Sequence, residues 1–197
     1  MTDKEKDAIL HDDTGLRVEK VSSRTAFRGH LLRLSCDEVE LPNGEHAVWE
    51  IVRHRGAVCV VPVTENGDVL LVRQFRYPIG KVLLEIPAGK LEEGDGDRAA
   101  AALRELREET GVSAASLRCL GDFYGTPAYS DERITLYLAT GLTEGEQRLD
   151  RDEFLTLVRI PLAEAVRLVL DGEIEDMKTQ AGILRAYLTL QNGSQTL

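Results

Sequence analysis

Three carboxylates fall within one helical turn near the middle of this chain. Glu105, Glu108 and Glu109 stand at i, i+3 and i+4, the spacing that places side chains on one face of an α-helix. Like charges so placed repel by about 0.2 to 0.5 kcal/mol per pair in an isolated helix, which a solvated acidic face beside Arg104 and Arg107 would tolerate. The same face also has a chemical use, because hard divalent cations such as Mg²⁺ and Mn²⁺ take oxygen ligands. Just ahead lie Ile86-Pro87-Ala88-Gly89 and the acid- and Gly-rich Glu92-Glu93-Gly94-Asp95-Gly96-Asp97, a turn and loop able to bring a backbone carbonyl to that face. Two or more cations held there would clamp a diphosphate, polarise phosphorus and lower the pKa of a bound water, which is the chemistry of hydrolytic phosphoryl transfer.

The elements that position these groups are readable around them. Arg98 to Thr110 is rich in helix formers, with Asp97 as the predicted N-cap and Gly111 as the predicted stop. Leu16 to Arg53 alternates apolar and polar residues, with Pro42-Asn43-Gly44 as a turn, and predicts a strand meander. The apolar runs Ala57 to Val63 and Asp68 to Phe75, joined by Glu65-Asn66-Gly67, predict antiparallel neighbours. Further strands are expected at Leu117 to Tyr124, Arg133 to Ala139 and Phe154 to Ile160. Helices are expected from Pro161 to about Leu170 and from about Asp176 to Leu190. Strands and helices mix without regular alternation, so the fold class is α+β (mixed α/β). Residues 1–15 are polar and lack periodicity, and read as a mobile tail without chemistry.

Composition narrows the partners. Lys and Arg number 24 against 34 Asp and Glu, a net charge of −10, which opposes binding to a phosphate backbone, so no nucleic-acid partner is expected. Neither a run of about 18 apolar residues nor a signal-like leader is present, so the expectation is no membrane association and a cytoplasmic location. Cys36, Cys59 and Cys119 are odd in number and widely spaced, and read as core thiols rather than disulfides or zinc ligands.

Gly89-Lys90-Leu91-Glu92-Glu93-Gly94-Asp95 through Arg104-Glu105-Leu106-Arg107-Glu108-Glu109-Thr110-Gly111-Val112 resembles the Nudix box, G-x5-E-x7-R-E-U-x-E-E-x-G-U, the signature of the Nudix hydrolases. Arg104 to Val112 match at every specified position. In the first half Asp95 stands where the box has Glu, and eight residues rather than seven precede Arg104, a one-residue insertion. In the family that Glu orients the box Arg; here Asp95 or Asp97 could substitute. Val72-Arg73-Gln74-Phe75-Arg76, Thr126-Pro127-Ala128-Tyr129-Ser130-Asp131-Glu132 and Leu149-Asp150-Arg151-Asp152-Glu153-Phe154 extend the likeness. Pro127, fifteen residues after Val112, is similar to the proline of the ADP-ribose pyrophosphatase branch.

The resemblance implies a Nudix α/β/α sandwich with a mixed sheet over residues 55–197, preceded by an N-terminal antiparallel strand subdomain over residues 16–54 that serves dimerisation. It implies hydrolysis of ADP-ribose to AMP and ribose 5-phosphate with Mg²⁺ or Mn²⁺, two or more ions per site. The Ala88 carbonyl, Glu105 and Glu109 would hold metal, and Glu108 would bridge ions or serve a water. Glu153, with Asp152 as the fallback, would position or deprotonate the attacking water; a solvated acidic loop is the other reading of both. Arg76 would contact the diphosphate or ribose, and Glu85 and Glu132 would accept from ribose hydroxyls. Thr126 and Pro127 would contact substrate, and Arg73 is either a second such arginine or a strand-edge charge. Leu31 and Trp49 are candidates for the adenine pocket of the second subunit of a homodimer, Trp49 also being readable as core. Alternatives are another nucleoside diphosphate sugar, such as ADP-glucose or GDP-mannose, an oxidised nucleoside triphosphate, or a ligand-sensing domain without catalysis.

Overall fold

The polar first residues carry more order than their composition suggests. Asp3–His11 forms a helix, α1, closed at its start by a capping box in which the Thr2 hydroxyl accepts from the Glu5 N–H while the Glu5 carboxylate accepts from the Thr2 N–H. No residue of α1 is buried, so local capping rather than packing accounts for the helix where a tail was expected. In this computed structural model residues 1–149, 151 and 153–193 are described. They fall into two units: Met1–His54 with Thr126–Asp131, and Arg55–Gly125 with the chain from Glu132 onward.

In the first unit the predicted meander forms as β1 (Glu19–Arg28), β2 (Arg33–Glu40) and β3 (His46–Arg53), an antiparallel sheet in that order. Gly44 takes φ +81 in the turn before β3, a conformation open to glycine and strained for most side chains. The sheet buries Ser35, Cys36, Asp37 and Val39 of β2, whereas all ten residues of β1 are exposed. Asp37 ion-pairs with Arg53 and accepts from the Ser23 hydroxyl at 2.6 Å, and that hydrogen bond leads the causes holding its pKa below the usual carboxylate value. The 126–131 segment joins β3 through Val52 N–H to Tyr129 O at 2.7 Å and Asp131 N–H to Val52 O at 3.2 Å.

The second unit is a three-layer sandwich. Its strands are β4 (Ala57–Pro62), β5 (Asp68–Arg76), β6 (Lys81–Glu85), β7 (Ala88–Lys90), β8 (Val112–Tyr124), β9 (Arg133–Glu144) and β10 (Leu155–Pro161). Its helices are α2 (Arg98–Thr110), α3 (Leu162–Leu170) and α4 (Met177–Gly193). The order β7-β4-β9-β8 makes a mixed sheet, with β4 and β9 parallel, and β10-β5-β6 an antiparallel one. Alternation along β4 divides the core: Cys59 and Val61 face Leu162, Ala165, Ile183 and Ala186 of α3 and α4, while Val58 and Val60 face Ala101, Ala102 and Leu106 of α2.

The expected pairing of the two apolar runs is corrected. β4 and β5 lie in different sheets, and the turn between them closes only the isolated bridge Val63↔Val69. A continuous apolar run is buried on both faces and so belongs in the middle of a sheet, where its neighbours come from elsewhere in the sequence. Among the described residues no helix is long and apolar enough to cross a membrane.

Candidate active site

α2 begins and ends where its sequence signals stand. The Asp97 carboxylate accepts from the Ala99 N–H at 2.8 Å, and Gly111 closes the helix in the left-handed region with its N–H to Arg107 O at 2.9 Å. The helix packs Leu106 into the core, so the neighbouring face, with Glu105 and Glu109, turns toward β7. Both carboxylates are buried, 8% and 3% exposed, while Glu108 is half-buried. The Ala88 N–H donates to Glu109 at 3.1 Å. Gly89 is required by contact: a Cβ there would stand 1.9 Å from the carboxyl carbon of Glu105.

Burial with like charge makes these groups reluctant to ionise. Burial first, then Glu108 and Glu153, pushes Glu105 up to about 7 against the opposing pull of Arg104. Burial first, then Glu153 and Glu105, pushes Glu109 up to about 8 against the Ala88 N–H and Arg76. Glu153, half-buried just ahead of β10, therefore acts on both carboxylates of α2. Asp152, the fallback, lies outside the described residues.

Arg104 gathers the acids of the loop and helix. Its guanidinium lies 2.9 Å from Glu105, 3.2 Å from Asp95, 3.3 Å from Glu108 and 3.6 Å from Glu92. Of the two aspartates that could support it, Asp95 does, while Asp97 is taken up as the helix cap.

Arg76 and Glu85 meet across β5 and β6, the guanidinium donating two hydrogen bonds, 2.6 and 2.7 Å, to the carboxylate. Glu85 is 1% exposed, and its second oxygen also accepts from the Lys178 ammonium. Burial would raise its pKa, but the Arg76 and Lys178 contacts together hold it below the usual value. A carboxylate so enclosed is a poor acceptor for a ribose hydroxyl. Glu85 instead fixes Arg76, whose side chain is 40% exposed. Lys178 also contacts Asp176 at 3.0 Å; Asp176 accepts from Thr179 N–H at 2.9 Å, and the Thr179 hydroxyl accepts from Ile86 N–H at 2.9 Å. The start of α4 thus fastens the Glu85–Ile86 backbone that leads into Ala88 and Gly89.

Arg73 is exposed on β5, the middle strand of its sheet, between Thr156 of β10 and Leu84 of β6, so it is not a strand-edge charge. Glu132 is half-buried at the approach to β9. Leu31, Thr126 and Pro127 belong to the first unit and are exposed, as is Trp49, which is therefore not core in this chain.

The donor chemistry fits a hard divalent cation: buried oxygen donors beside a backbone turn, with ionisation held back until a positive charge compensates it. Glu105 is turned to Arg104 and Glu109 to the Ala88 N–H, and among the described residues no group of three or more His, Cys, Asp or Glu stands at metal-ligand spacing.

Residues 53–180 match the NUDIX domain, and residues 18–52 match the nucleoside diphosphate sugar hydrolase N-terminal domain. The chain belongs to the Nudix family. This Nudix chain is 42% identical over 184 residues to the methanol dehydrogenase activator of Bacillus methanolicus, covering 92% of this chain and 95% of that protein. It is 40% identical over 182 residues to the ADP-ribose pyrophosphatase of Bacillus subtilis (strain 168), covering 91% and 97%. A crystal structure of an ADP compounds hydrolase superposes with a TM-score of 0.79 at 24% identity, covering 92% and 97%, a likeness of fold.

Sequence reasoning missed the α4 contribution to the Nudix site. Asp176-Met177-Lys178-Thr179 carried one legible signal, an Asp placed to cap a helix three residues before a Thr. Nothing in it told that Lys178 would fold inward onto Glu85, which is 93 residues away in sequence.

Proposed function

We propose that this chain hydrolyses the diphosphate bond of ADP-ribose to AMP and ribose 5-phosphate. The observation that carries the reading is the likeness to the ADP-ribose pyrophosphatase of Bacillus subtilis along nearly the whole of both chains, catalytic helix included.

In this reading the Ala88 carbonyl, Glu105 and Glu109 would hold two or more Mg²⁺ or Mn²⁺ ions, with Glu108 as a further ligand or serving a water. Bound there, such ions polarise the phosphorus and make a water acidic enough to attack near neutral pH. Arg76, held by Glu85, donates to the diphosphate oxygens. Glu153 takes the proton of the attacking water, as an ionised carboxylate within reach can. The water oxygen bonds to one phosphorus while the bond from that phosphorus to the bridging oxygen breaks, and the bridging oxygen leaves with the electron pair on the other product's phosphate. Glu132, Thr126 and Pro127 contact the sugar side.

The chain works as a homodimer in the cytoplasm, with Leu31 of each copy reaching the adenine pocket of the other; the fully exposed β1 supports such pairing. The match of residues 18–52 to a domain described for nucleoside diphosphate sugar hydrolases at large keeps ADP-glucose and GDP-mannose as the alternative substrates.

Steady-state hydrolysis of ADP-ribose and those two sugars, with product analysis, tests the reading. ADP-ribose is expected to give the highest kcat/KM with Mg²⁺ or Mn²⁺, and Glu109→Gln to lower turnover by orders of magnitude. Near-normal turnover in that variant at saturating metal would sink the assignment.

A further inference from the structure

We infer that this chain carries a second anion site, on the side of α2 away from Glu105 and Glu109, that binds an organic phosphate monoester. A cavity of about 490 Å³ opens between α2, the first residues of β8 and the 145–148 segment. Leu103, Arg104, Arg107 and Glu108 line it from α2, Ser113 and Ala114 from β8, and Arg148 from the segment. Positions two apart on a helix are separated by about 200°. Leu103 and Arg107 therefore point away from the face of Glu105 and Glu109.

Charge decides the ligand class. Arg104 is offset by the four carboxylates around it. The Arg107 side chain makes no ion pair or hydrogen bond among the described residues. Among the described residues Arg148 has one ion pair, 3.8 Å to Glu146, with both side chains largely exposed, an arrangement worth little. Of the charged groups lining the cavity, Arg104 and Glu108 are paired with each other at 3.3 Å, which leaves the Arg107 and Arg148 guanidiniums as its excess positive charge, in a chain of net charge −10. A phosphate monoester, carrying close to two negative charges at neutral pH, matches that pair, and guanidinium forks suit its oxygens. The volume lies within the usual range of small-molecule pockets, far more than an inorganic phosphate fills, and Leu103 and Ala114 offer apolar wall for an organic body.

Occupancy has a mechanical consequence. The Arg148 N–H donates to Glu108 O at 3.0 Å, and Gln147 donates through its amide to Glu109 O at 2.5 Å, so this segment is already stapled to the end of α2. A ligand held by Arg107 and Arg148 together would fasten it further, and the same segment leads toward Glu153.

The test is calorimetric titration of the chelator-treated protein with inorganic phosphate, glucose 6-phosphate and AMP, each alone, using wild type, Arg107→Gln, Arg148→Gln and Glu109→Gln. At least one monoester is expected to bind saturably at one per chain and more tightly than inorganic phosphate. Its affinity should fall about tenfold or more in either arginine variant and stay unchanged in Glu109→Gln. Absence of saturable binding by all three probes, affinity unchanged in both arginine variants, or loss of binding in Glu109→Gln would overturn the proposal. Arg107→Gln is expected to keep wild-type turnover of ADP-ribose, so failure of this site and failure of the hydrolytic assignment are separately visible.

Discussion

Metal binding to this protein should release protons, in a number that the two buried glutamates fix. With Glu109 raised to about 8 and Glu105 to about 7, at pH 7 roughly nine-tenths of the Glu109 population and half of the Glu105 population are protonated in the metal-free fold. Cation ligation requires both to be ionised, so about 1.4 protons leave per site at pH 7, about 1.9 at pH 6 and about 0.1 at pH 9. The apparent metal affinity follows, rising about tenfold from pH 7 to pH 8 and levelling above about pH 9. Calorimetric titration of Mn²⁺ or Mg²⁺ into chelator-treated protein, repeated in buffers of different ionisation enthalpy, reads the proton count directly. Glu109→Gln should remove most of the pH 7 release. A release near zero at pH 7, or one independent of pH between 6 and 9, would refute the account of how burial and like charge poise this face.

Three further outcomes follow from the same geometry. In chelator, Glu109→Gln should melt above wild type at pH 8.5 and level with it at pH 5. The folded pKa of about 8 exceeds the unfolded value of 4.5, so the fold binds the extra proton and wild type loses up to about 1.4 kcal/mol per pH unit as pH rises between those values. Lys178→Met should cost about 3 kcal/mol in urea denaturation, because Glu85 keeps its buried charge with one partner removed, and should raise the KM for ADP-ribose more than it lowers kcat, since Glu85, the anchor of Arg76, is held less firmly while Arg76 keeps its charge. Gly89→Ala places a methyl 1.9 Å from the Glu105 carboxyl carbon, so Glu105 must move; turnover is expected to fall about 100-fold with a stability loss of about 1 to 3 kcal/mol by denaturation.

Local signals in the sequence carried the catalytic helix nearly to the residue. Asp97 and Gly111 bound α2 because capping and a left-handed stop depend on the chain's own neighbours. The one-face spacing of Glu105 and Glu109 likewise needs only helical periodicity. Pairing between distant segments was less legible: the apolar runs at 57–63 and 68–75 look like a hairpin because both are strands joined by a turn, yet each finds its partners in β9, β10, β6 or β7. Glu85 shows the same limit at the site. Its type and place suit a hydroxyl acceptor, and only the packing of α4, with Lys178, shows that it is enclosed and committed to Arg76.

The two halves of this site handle charge in opposite ways, and the difference separates scaffold from chemistry. Arg76, Glu85, Lys178 and Asp176 form a balanced set, two positive and two negative, in which Glu85 stays ionised in spite of burial because its hydrogen bonds and counter-charges outweigh desolvation. Such a set has nothing to gain from a further ion and serves to hold one arginine and one turn in place. Glu105 and Glu109 are left under-compensated: one arginine already shared among four acids, and one backbone N–H, do not offset their burial and mutual repulsion. A fold selected for stability alone would favour neutral residues at those two positions. Their presence is intelligible if the missing positive charge arrives with the reaction, exchanging for protons that the fold holds in reserve.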